Sequence, residues 1–69
     1  MRSEIATYKN KDDGLEARIY LNHESAFPYT VEMWDMDADE CALVKTVKSL
    51  DRAQSFGRAF CGEGYSVEV

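Results

Sequence analysis

His23 is the one histidine of the 69-residue chain, and Glu24 beside it could orient the ring as a general base, because imidazole titrates near neutral pH. A base is only part of a mechanism. The sequence offers it no nucleophile elbow, no phosphate-cradling glycine loop and no HExxH. Gly62-Glu63-Gly64 is too short for a dinucleotide fingerprint. The two cysteines, Cys41 and Cys61, stand twenty residues apart with no CxxC pair and no matching histidine spacing. This excludes a zinc knuckle and a disulfide framework. Both are expected to be reduced and structural, behaving as small buried hydrophobes, and Cys61 fits that description best at the end of a helix. Catalytic residues are therefore read as none, and so are cofactor and metal ligands.

Asp35, Asp37 and Asp39 have the spacing of the first three ligands of an EF-hand calcium loop. The likeness stops at the next positions. Glu40 stands where the loop needs glycine for its sharp turn, and Thr46 where it needs a bidentate glutamate. From Glu32 to Glu40 there are five acids and no base. The expected use of this run is an acidic contact surface for a partner, with a solvated hairpin loop as the plain alternative.

Charge is unevenly spread. Residues 1–40 carry ten acids and four bases, and residues 41–61 one acid and four bases, within a formal net charge of −5. The surface should be bipolar. Lys45, Lys48, Arg52 and Arg58 are expected to form a modest basic cluster across a strand and a helix. With Phe56 and Phe60 assigned to the core, that cluster has no accessible aromatics for base stacking. The acidic balance also opposes phosphate neutralisation, so direct nucleic-acid binding is not expected.

These residues need elements to hold them. Ile5, Ala6, Thr7 and Tyr8 read as a first strand, and Asn10-Lys11-Asp12-Asp13-Gly14 as a hairpin turn ending in Asp-Gly. Leu15, Ala17, Ile19 and Leu21 alternate with Glu16, Arg18, Tyr20 and Asn22, the pattern of a half-buried strand. His23 to Pro28 is a loop, because proline removes a ladder donor and forces Phe27 into extended geometry. Tyr29, Val31 and Met33 then alternate with Thr30, Glu32, Trp34 and Met36 in a third strand. Cys41 to Lys48 is a fourth, with its buried face undecided between Leu43 and Val47 and the set Ala42, Val44 and Thr46.

After Ser49, an N-cap, the residues Leu50, Ala53, Phe56, Gly57 and Phe60 recur at helical spacing, and Gly62 ends the helix. Gly57 weakens the helix by up to about 1 kcal/mol relative to alanine, which points to close packing on the sheet. Tyr65, Val67 and Val69 close the chain as a short strand. The fold class is therefore α+β: an antiparallel four- to five-stranded meander with one helix on one face, in the order ββββαβ. Phe56 and Phe60 are expected to pack on Leu15, Ile19, Leu21, Val31 and Met33.

Residues 1–69 are expected to form a single small domain, since a chain this short buries only about 60% of its unfolded surface and leaves no room for a second core. No apolar run has the length of a signal peptide or a membrane span, and a soluble, cytoplasmic protein with no membrane partner is expected. The single helix leaves one sheet face open. Tyr20, Trp34 and Met36 are assigned to that face beside Glu16, Arg18 and Glu32, and Tyr8 is expected to join them. Aromatics with a charged rim have the composition of an interface centre.

The expected function is that of a non-enzymatic acidic binding protein with a protein partner, acting as an inhibitor, regulator or small subunit. Its partner-binding residues are Tyr20, Trp34, Met36, Glu32, Asp35, Asp37, Asp39 and Glu40. Self-association as a homodimer through the open face is the expected form of use. An enzyme or cofactor binder with a composite site at a homo-oligomer interface stays open as an alternative. In size and acidity the chain also resembles small single-domain inhibitors of nucleases and polymerases, some of them acidic mimics of DNA. That resemblance is one of bulk properties and assigns no residue.

Overall fold

Five strands and one helix follow the sequence pattern closely in the computed structural model, which describes residues 3–68. They are β1 (Ser3–Asn10), β2 (Leu15–Leu21), β3 (Tyr29–Asp35), β4 (Glu40–Val47), α1 (Leu50–Cys61) and β5 (Ser66–Glu68). All pairings are antiparallel, in the order β4-β3-β2-β1-β5. The first four strands form a meander. The helix then carries the chain back across one face, so that β5 pairs with β1. Val69, assigned by alternation to the last strand, lies outside the described residues, as does the opening Met1-Arg2.

Helix boundaries match their sequence signals. The Ser49 side chain accepts a hydrogen bond from the Arg52 N–H, and the Gly62 N–H donates to the Arg58 carbonyl at φ 71°. Both caps satisfy backbone groups that a bare helix end leaves unpaired. Asp51 in the first turn and Arg58 in the last complement the helix dipole.

The core lies between α1 and the centre of the sheet. Ala17 and Ile19 of β2 and Val31 and Met33 of β3 are buried there, with Ala53, Gly57 and Cys61 of the helix. The helix stripe that meets the sheet is thus built from small residues. This corrects the expectation for Phe56, which is 38% exposed, while Phe60 packs against the core as a half-buried residue. Two phenylalanines directly under the axis would lift the helix from the sheet. Ala53 and Gly57 let it approach, and the rings stand on its flank.

Tyr8 also departs from expectation. It stands opposite Ala17 in the ladder, and directly opposed residues share a face, so Tyr8 lies beneath the helix at 4% exposure. The hairpin register, which runs unbroken from Asn10 opposite Leu15 to Ala6 opposite Ile19, sets that phase, and the residues of β1 alone do not reveal it. Tyr65 meets the Tyr8 ring edge-on, with centroids 5.4 Å apart. In β4, the helix-side residues are Leu43, Lys45 and Val47, opposite Met33, Val31 and Tyr29, and only Val47 is buried.

Candidate functional site

The sheet face turned away from α1 is a lattice of charged and aromatic side chains. Its register places Glu16 opposite Trp34, Arg18 opposite Glu32 and Tyr20 opposite Thr30. Arg18 donates from Nε to Glu16 and lies over the Trp34 ring, with Cζ 4.6 Å from its centroid. The indole Nε1 of Trp34 donates to Glu32 Oε1 at 3.2 Å. Lys9 reaches Glu16 at 3.8 Å and Glu68 at 3.2 Å, and the Thr7 hydroxyl donates to Glu4. Tyr20 joins the lattice through a side-chain hydrogen bond with Arg18. Glu16 is only 7% exposed although no element covers it, because its neighbours' side chains lie across it.

Burial pulls the Arg18 guanidinium down, but its hydrogen bond and charge pairing with Glu16 and its contact with Tyr20 prevail, holding it above its ordinary value. Its charge is fixed. Arg18 therefore orients Trp34 from one side by cation–π attraction, while Glu32 holds the indole N–H.

At one end of this face, two turns are docked together. The Met36 N–H donates to the Gly14 carbonyl at 2.7 Å, and the Asp37 carboxylate sits so close to Gly14 that a Cβ there would lie 2.5 Å from Oδ2. Asp35 Oδ1 accepts from the N–H groups of Asp37 and Ala38 at 3.1 and 3.2 Å, closing the β3–β4 turn, and Asp39 has a φ of 53°. The carboxylates of Asp12, Asp13, Asp37, Asp39 and Glu40 are thus gathered at one exposed end. Met36, 40% exposed, stands at that end beside a shallow depression of about 220 Å³ that Glu16, Lys9 and Asp37 also line.

Of the eight residues expected to bind a partner, Tyr20, Glu32 and Trp34 share the open face as a band, and Met36, Asp37 and Asp39 follow in the turn at its end. Asp35 and Glu40, opposite each other and with Asp35 opposite Leu15, stand instead on the helix side of the sheet. Tyr20 closes the opposite end through Arg18. Tyr8 is absent from the band for the reason given above. Sequence reasoning assigned no positioning role to Arg18 or to Gly14. Arg18 could have been found from its phase once the β2–β3 register was drawn, whereas the seating of Asp37 on Gly14 joins two turns and has no local signal.

The other candidates are dispersed. His23 and Glu24 are exposed in the β2–β3 loop. Cys61 is fully buried with its thiol 3.5 Å from the Tyr8 carbonyl, and burial pushes that thiol above its ordinary value, which suits a packed residue and not a nucleophile. Cys41, in contrast to the expectation of burial, is exposed on β4, because an edge strand outside the helix footprint has nothing to cover it.

Arg58 lies in the last helical turn, away from Lys48 and Arg52 near its start, so the four cations do not form one cluster. Nor does the basic region lack accessible aromatics. Phe27 is 46% exposed with the Lys48 amine 5.3 Å from its ring centroid, and Phe56 is exposed in the turn after Arg52. Among the described residues no three His, Cys, Asp or Glu side chains converge as a metal cage, and no helix is long and apolar enough to cross a membrane. No known family model matches the chain, and no curated protein or solved structure is significantly similar to it.

Proposed function

We propose that the protein is a non-enzymatic binding module, an inhibitor, regulator or small subunit, that engages a partner protein with a basic surface through its open sheet face and acidic end. The observation that carries this reading is the continuity of the band. A tryptophan held in place by Arg18 and Glu32 is followed two residues on by exposed Met36, whose backbone N–H ties the β3–β4 turn to the β1–β2 turn at Gly14. A rigid aromatic beside a charged rim is the composition of an interface hot spot, because the ring loses little entropy when a partner covers it. The adjoining carboxylates would steer a basic partner and raise its association rate.

Site-directed photocrosslinking tests the assignment. A benzophenone side chain is introduced at Met36 in one variant and at Ser55, on the exposed helix surface, in another, and both are irradiated in native cells. Adducts to one dominant protein from position 36 and none from position 55 support the reading. Adducts from position 55 alone would move the working surface to the helix.

A further inference from the structure

We infer that the β2–β3 loop and the first two turns of α1, at the end away from the acidic turns, bind single-stranded nucleic acid, with a phosphate at Lys48 and Arg52 between bases stacked on Phe27 and Phe56. The site goes beyond the protein-binding role above and lies on a different surface. Two shallow depressions meet there. One, of about 260 Å³, is lined by Phe27, Thr46, Val47, Lys48 and Arg52, and the other, of about 340 Å³, by Arg52, Ser55, Phe56 and Ala59. Arg52 lines both, so one guanidinium stands between two depressions that each carry an aromatic ring.

The occupant is identified by this order of ring, cation and ring. Phe27 is 46% and Phe56 38% exposed, so the stacking surfaces that helical spacing assigned to the core are open to solvent at this end. The Lys48 amine lies 5.3 Å from the Phe27 centroid, presenting charge and ring together. Among the described residues neither Lys48 nor Arg52 enters an ion pair, and no acidic side chain lines either depression. The cations call for an anion and the open rings for a flat apolar group. A single nucleic-acid strand supplies both in the same order, base, phosphate and base, and stacking of this kind tolerates any base. An acidic peptide would match the cations and leave the rings uncovered.

The net charge of −5 does not oppose binding at this end. The eight residues of β4, at about 3.3 Å each, hold the acidic turn roughly 25 Å from Lys48, whereas exposed charges are screened over about 8 Å at physiological salt. The nearer acids are Asp51 and Glu24. Asp51 projects about 100° round the helix from Arg52, on the side away from Phe56, and Glu24 lies earlier in the loop, outside both depressions. Lys45, on the helix side of β4 opposite Val31, adds a third cation to the strand that leads into the site.

The test is fluorescence anisotropy of a short labelled oligothymidylate titrated with the full chain, for the wild type, F27A, F56A, K48E, R52E and K11E. Circular dichroism confirms that each is folded; every substituted residue is exposed. Saturable binding by the wild type is expected. F27A and F56A should each weaken it about tenfold, the loss of one stacked base, and K48E and R52E should weaken it by about tenfold or more through repulsion of the phosphate. K11E makes the same change of charge at the acidic end and should bind as the wild type does. Absence of binding at millimolar protein would overturn the proposal. So would wild-type binding by both F27A and F56A, or displacement of the oligonucleotide by polyglutamate as readily as by unlabelled oligothymidylate, since either reduces the site to bare charge. Equal losses in K11E and K48E would overturn it as well, by removing the site from this end of the molecule.

Discussion

Gly57 of the helix rests directly on the ring of Tyr8 in β1: a Cβ at position 57 would lie 2.9 Å from Tyr8 Cδ2. The ring has nowhere to go, being 4% exposed and braced edge-on by Tyr65. Gly57→Ala should therefore destabilise the protein even though alanine is the better helix former. The propensity gain of up to about 1 kcal/mol is set against an overpacking penalty of about 1 to 3 kcal/mol. A net loss of about 1 kcal/mol, read as a lower denaturation midpoint, is expected. A higher midpoint would mean that the helix can lift without penalty.

Asn10 ties the first hairpin to the end of the helix. Its Nδ2 donates to the Cys61 carbonyl at 2.7 Å and to the Glu63 carbonyl at 3.1 Å, while Oδ1 accepts from the Asp13 N–H. Asn10→Ala strips these partners from a site that is 3% exposed and should cost about 2 kcal/mol, because buried groups left unpaired keep their full desolvation penalty. Hydrogen exchange should locate the loss in residues 10–14 and 61–63. An unchanged midpoint would contradict this role.

Phe60 and Phe56 should separate on truncation. Phe60 packs against the core from a half-buried position, so Phe60→Ala is expected to cost about 2 to 3 kcal/mol, below the range for a fully buried ring. Phe56→Ala removes a ring that is 38% exposed and should cost less than about 1 kcal/mol. Equal losses in urea denaturation would show that the small-residue stripe has been misidentified as the buried face.

Alkaline pH should expose the Cys61 thiol. Burial raises its pKa above the unfolded value, so the unfolded chain releases its proton first and stability falls as pH rises through the thiol range. Below that range the contribution is fully present. The stability difference between wild type and Cys61→Ala should therefore shrink between about pH 8 and 10, around the ordinary thiol pKa. A difference that stays constant there would mean the thiol ionises as freely in the fold as in water.

Period-two and helical spacing made the strands, caps and fold class legible, because Ala17, Ile19, Val31 and Met33 all obey the alternation that buries them. Tyr8 was not legible, since Ile5, Ala6 and Tyr8 show no clean alternation and its phase is set by the hairpin register with β2. Phe56 misled because helical spacing gives the apolar side but not which residue lies on the axis. That is decided by how closely Gly57 lets the helix approach Tyr8. Of the binding band, Trp34 and Glu32 follow from alternation alone, whereas the union of the acidic turns rests on Gly14, Met36 and Asp37 meeting across more than twenty residues.

Trp34 is the chain's single tryptophan and stands in the middle of the proposed surface, so its fluorescence reports directly on whether that surface is used. The decisive measurement is its emission, and its quenching by acrylamide, during titration with the partner recovered by crosslinking. Binding through the open face should shift the emission to the blue and protect the indole from quencher, and W34Q should weaken binding by about tenfold or more, as loss of a buried aromatic anchor does. Stoichiometric binding that leaves Trp34 emission and quenching unchanged, with W34Q binding as tightly as the wild type, would contradict the account.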